Sequence, residues 1–90
     1  MKAPEIWGRM GAYVHQDFLL QFPDLMSGLI DFLSEEPREQ RAELHRYCDF
    51  LLRRPETIAA AWNSTDTNLL LNSVGAKQLV EDIRAYLTTV

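Results

Sequence analysis

Hydrophobic side chains recur at helical spacing along nearly the whole chain. Ile6, Trp7, Met10, Tyr13, Val14 and Phe18 fall three or four residues apart, which predicts an amphipathic helix from Pro4 to somewhere in Asp17–Gln21. Pro4 suits its first turn, because the missing N–H has no intrahelical partner there. Gly8 and Gly11 each weaken that helix, by about 1 kcal/mol relative to alanine, so close approach of another backbone is expected at both. Pro23 biases Phe22 away from helical geometry and restarts the chain. Asp24 then stands where the macrodipole favours an anion. Leu25, Met26, Leu29, Ile30, Phe32 and Leu33 form a stripe so broad that the second helix is expected to be largely buried.

Ser34-Glu35-Glu36-Pro37 is the next boundary, with acidic residues around a proline as a start signal. The third helix runs to Arg54, placing Leu44, Tyr47, Cys48, Leu51 and Leu52 on one face. Arg53 and Arg54 suit its C-terminus and Pro55 blocks continuation. A short fourth helix is expected from Glu56 to about Trp62. It is followed by the polar cluster Asn63-Ser64-Thr65-Asp66-Thr67-Asn68, whose side chains bond to nearby backbone and favour turns. Leu69-Leu70-Leu71 is too uniform for periodicity to decide, and an extended segment near residues 67–72 crossing the core is one reading. Asn72 and Ser73 are N-cap candidates for a last helix carrying Ala76, Leu79, Val80, Ile83, Tyr86 and Leu87 and ending near Leu87. The expected fold class is all-α, a single domain over residues 1–90 built as a bundle of about five helices.

Composition narrows the function. The chain is 47% hydrophobic and 24% charged with a net charge of −4, within the ordinary globular range. Arg38, Arg41, Arg46, Arg53 and Arg54 cluster, but Glu35, Glu36, Glu39, Glu43 and Asp49 share their segment and balance them. Direct nucleic-acid binding is therefore disfavoured, and an acidic chain suits a basic protein surface better. Cys48 is the single cysteine, so no internal disulfide and no multi-thiolate zinc site can form; a small buried hydrophobe is its expected role. No apolar leader opens the chain and no run approaches a membrane span, which sets a cytoplasmic expectation.

No catalytic constellation emerges. His15 and His45 lie thirty residues apart. His45 and Cys48 are three apart on one helix, but the orienting group and oxyanion donors of a thiol enzyme have no visible source. Adjacent carboxylates such as Glu35–Glu36 and Glu81–Asp82 point apart on a helix. The expectation is a non-enzyme without metal or cofactor. A densely functional stretch is Gly11-Ala12-Tyr13-Val14-His15-Gln16-Asp17-Phe18, where aromatics, an imidazole, an amide and a carboxylate gather at a helix end.

That stretch resembles the glycine–aromatic–His-Gln-Asp–aromatic signature of the small immunity proteins of bacterial contact-dependent growth inhibition systems (CdiI-like proteins). The likeness continues through Trp62-Asn63-Ser64-Thr65-Asp66, an apolar stretch, and Gly75 leading into Leu79, Ile83 and Leu87, so it spans most of the chain. It implies an antidote that binds the C-terminal toxin domain delivered by a neighbouring cell, one to one, often by covering its active site. Many such toxins are nucleases, whose phosphate-holding clefts are basic. Acidic side chains at Asp17, Asp24, Asp31, Glu35, Glu36 and Asp66 are the candidate toxin contacts; Asp24 and Asp31, seven apart, are expected on one helix face. Tyr13, His15, Gln16, Asp17 and Trp62 carry the signature and are expected to be chiefly structural. The free protein is expected to be a monomer. A helical adaptor module, using an exposed stripe of the second helix, is the alternative, and a small enzyme or regulator using His15 or His45 is a third reading.

Overall fold

In the computed structural model, which describes residues 1–90, the chain folds into α1 (Glu5–Tyr13), α2 (Phe18–Gln21), α3 (Leu25–Ser34), α4 (Arg38–Leu52), a 3-10 turn (Pro55–Thr57), α5 (Ile58–Asn63) and α6 (Ser73–Thr89), without a strand. The all-α class follows from the periodicity. No helix is long and apolar enough to cross a membrane. α4 and α6, the two longest helices, pack against each other. α5 lies beside α6, and α1 and α3 close the other side.

The core joins every helix. Ile6, Met10, Leu29, Leu33, Leu44, Cys48, Ile58, Trp62, Ala76, Val80 and Ile83 are fully buried. Trp7 is wedged edge-on between Tyr47 of α4 and Trp62 of α5, with ring centroids 5.2 and 5.7 Å away, within the separation preferred by aromatic pairs. Its indole N–H donates to the Ala61 carbonyl at 3.1 Å. No buried side-chain nitrogen or oxygen lacks a partner.

Expected boundaries move at three helices. α1 ends at Tyr13 rather than within Asp17–Gln21, even though Val14 and Phe18 are buried at helical spacing. The Val14 carbonyl accepts the Asn68 N–H at 2.8 Å, so a tertiary bond takes the acceptor that a longer helix would need at position 18. The chain turns through His15–Asp17 and resumes as the four-residue α2. The fourth expected helix begins as a 3-10 turn at Pro55 and becomes α-helical from Ile58, carrying Asn63 as its last residue. α6 is capped by Asn72, whose side chain accepts the Gly75 N–H at 2.8 Å, and runs two residues past Leu87.

Residues 67–72 form no strand but alternate between half-buried and exposed, as an extended chain does. Leu69 and Leu71 pack against the core while Leu70 is 70% exposed, so the segment skirts the core. The glycines also divide. A Cβ on Gly11 would stand 2.1 Å from Thr65 Oγ1 and one on Gly28 would stand 2.1 Å from the Phe18 ring, so both admit a neighbouring side chain. Gly8, by contrast, has nothing within 4 Å of that position. Its neighbour is solvent.

Candidate protein-binding surface over helix α1

Ile6, Trp7, Met10 and Gly11 turn into the core, which leaves Glu5, Gly8, Arg9 and Ala12 on the outer face of α1. This face is the floor of a shallow groove of about 570 Å³. Ser64, Thr65 and Asp66 form one wall, and Trp7 and Tyr47 show their edges at its base. Small side chains at positions 8 and 12 make the hollow, and the close approach of Thr65 to Gly11 brings the Asp66 loop alongside. The exposed carboxylates of Glu5 and Asp66 line it.

The opposite flank of α1 is tied to α3. Arg9 makes two bonds to Glu36, with Nη1 and Nη2 at 2.9 and 2.8 Å from its carboxylate oxygens. The guanidinium lies 5.9 Å from the Phe32 ring centroid, within cation–π range. Hydrogen bonding to Glu36 raises the pKa of a group that is already permanently charged. The Tyr13 hydroxyl donates to Asp31 Oδ2 at 2.9 Å. Partial burial, then this bond and the nearby charges of Asp31 and Glu35, push the phenol pKa above its ordinary value. Three of the candidate carboxylates, Asp31, Glu35 and Glu36, thus stand on the α3 side of α1, and Asp66 stands on the other.

Asp17 and Asp24 are not part of this surface. Asp24 caps α3 through an Oδ1 that accepts the Ser27 N–H at 2.8 Å, which holds its carboxyl below the usual range. It borders a different cleft, of about 430 Å³, with Met26, Gln78 and Asp82. The expected common face of Asp24 and Asp31 is divided, since one turns to α6 and the other to α1. Asp17 sits in the turn after α1, its amide donating to His15 Nδ1 at 3.1 Å and its carboxylate free to solvent.

The remaining signature residues have local tasks. His15 shapes the turn and Gln16 is exposed. Trp62 is fully buried, with its indole N–H on the Leu69 carbonyl at 2.8 Å. Glu5, Gly8, Arg9 and Ala12 were not among the sequence candidates. Their spacing of three and four places them on one helix face, and that polar, small-residue face was the available signal.

No three His, Cys, Asp or Glu side chains gather closely enough to hold a metal ion, and the groove's carboxylates, Glu5 and Asp66, are exposed. No protein-family model, curated protein or solved structure matches the chain.

Proposed function

We propose that this protein is an antidote, an immunity protein that binds and neutralises the toxin domain, of nuclease type, of a contact-dependent growth inhibition system. The observation that carries the reading is the α1 groove. Its floor is small and apolar at Gly8 and Ala12, Glu5 and Asp66 are its free carboxylates, and its one cation, Arg9, is neutralised by Glu36. A concave, acid-lined surface fits a convex basic segment, and a phosphate-binding enzyme carries such segments around its active site. Charge complementarity also speeds capture, as an antidote requires. The resemblance around Tyr13, His15, Gln16 and Asp17 supports the same reading, because that segment follows directly from the groove helix.

The adaptor reading rested on an exposed stripe of the second helix. That helix, α3, buries Leu29 and Leu33 and exposes Ile30 by 37%, so the apolar surface it offers a partner is narrow.

Calorimetric titration of the protein with the toxin domain encoded beside its gene is the direct test. One-to-one binding at nanomolar affinity or tighter is expected, together with protection of cells expressing that toxin. Gly8→Leu fills the groove without meeting another atom at its Cβ, and should weaken binding without lowering the melting temperature. A folded toxin that gives no binding and no protection would sink the proposal.

A further inference from the structure

A second concave surface lies away from α1 and differs from it in sign. Along α4, Arg38, Arg41, Ala42, His45 and Arg46 lie at offsets of three, four, seven and eight residues, which places them on one side of the helix. Together with Leu87 and Val90 of the α6 end they line a cleft of about 340 Å³. The acidic residues that balance these arginines in the sequence do not pair with them in space. None of Arg38, Arg41 and Arg46 has a carboxylate within 4.0 Å, whereas Arg9 is paired with Glu36 and Arg84 with Asp49. Glu39 and Glu43 are absent from the cleft lining.

Three guanidiniums without a carboxylate partner line one hollow, a locally cationic surface in a chain of net charge −4. The adjacent carboxylate, Asp49, is already engaged by Arg84 and lies 3.5 Å from His45 Nδ1. The other ring nitrogen of His45 is 3.3 Å from Thr88 Oγ1. The imidazole is thus held on both sides as a wall of the cleft, and Asp49 is not free to neutralise the arginines. Ala42 and Leu87 supply an apolar surface beside the cationic one.

We propose that this cleft binds a small organic phosphate, its phosphate group held by Arg38, Arg41 and Arg46 and its organic part resting on Ala42 and Leu87. Guanidiniums are planar donors matched to two phosphate oxygens at once, and about 340 Å³ lies within the range of ligand-sized pockets. The inference is independent of the antidote reading, since it uses the opposite charge on a different pair of helices.

The test is a titration of the full chain followed by amide NMR, with adenosine 5′-monophosphate, inorganic phosphate, a short single-stranded oligonucleotide and sodium chloride at matched ionic strength. Saturable shifts at Arg38, Arg41, Arg46 and Leu87 with the nucleotide, and weaker saturable shifts with inorganic phosphate, are expected. Inorganic phosphate binding as tightly as the nucleotide would overturn the organic part of the assignment. A response to the oligonucleotide alone, or one that sodium chloride reproduces, would overturn the site. The double substitution R41Q/R46Q, at one half-buried and one exposed position, keeps helix-favouring side chains and should lower affinity roughly tenfold or more, with the unliganded spectrum otherwise unchanged. Full affinity in that variant would likewise reject the proposal.

Discussion

The side-chain amide of Asn63 pairs with both backbone polar groups of Leu71. Its Nδ2 donates to the Leu71 carbonyl at 2.9 Å, and its Oδ1 accepts the Leu71 N–H at 2.9 Å. One side chain at the end of α5 thereby does for residues 67–72 what a neighbouring strand would do. The Trp62 indole N–H on the Leu69 carbonyl adds a second tie two residues earlier. The extended segment is fixed in register without any sheet.

Asn63→Ala should therefore cost about 2 kcal/mol, because two partly buried backbone groups lose their partner together. In a chain of this size that corresponds to a fall in melting temperature of roughly 10 °C. Asn63→Asp should lose as much, since a carboxylate cannot donate to the Leu71 carbonyl. Thermal denaturation followed by circular dichroism checks both, and a variant within a degree of wild type would show that the pairing adds nothing.

Gly8 of α1 and Gly28 of α3 should respond to alanine in opposite directions. Gly28→Ala places a methyl group 2.1 Å from the Phe18 ring and 2.9 Å from that of Phe22, and should destabilise by about 1–3 kcal/mol through overpacking. Gly8→Ala meets open space and should stabilise by about 0.5–1 kcal/mol from helix propensity. Urea midpoints of the two variants, compared with wild type, give the signs directly.

Cys48 is fully buried, and burial pushes its thiol up to about 12. The thiolate is the reactive form, so a thiol reagent at pH 8 should leave the native protein unmodified and react promptly in denaturant. The same shift has a stability consequence. The folded state holds this proton more tightly than the unfolded chain, so the contribution is complete below the ordinary thiol pKa. It is lost as pH rises from there through about 12. Tyr47, raised chiefly by burial, and Tyr13 act in the same direction. Urea midpoints measured from pH 8 upward should fall steadily, and Cys48→Ala or Cys48→Ser should make that fall shallower.

The Arg9–Glu36 pair ties α1 to the turn after α3 at the edge of the proposed toxin surface. Glu36 has a side chain 13% exposed and Arg9 one 41% exposed, so screening is partial. A double-mutant cycle with Arg9→Gln and Glu36→Gln should give a coupling of about 0.5–1 kcal/mol in low salt, shrinking as salt rises. Because Glu36 is engaged and Asp66 is free, Asp66→Ala should slow toxin association more than Glu36→Gln does. Association rates over a salt series separate the two.

Much of this protein was legible from sequence, because burial in a helix leaves a period that any reader can count. The α-helical class, an anion at Asp24 beside the start of α3, the cap at Asn72 and the buried role of Cys48 all follow from local chemistry acting within a few residues. What tertiary structure decided was the partner of each polar group. Val14 surrenders its carbonyl to Asn68, and that ends α1 where apolar spacing would have carried it onward. Asp24 and Asp31 part company because the first turn of α3 holds the Asp24 carboxylate through the Ser27 N–H, while Tyr13 of α1 claims that of Asp31. The arginines of α4, balanced charge for charge along the chain, stand unpaired around one cleft because a helix sends nearby residues to different faces. Composition adds charges regardless of direction. Only folding assigns each a side, and the two surfaces proposed here exist because of that assignment.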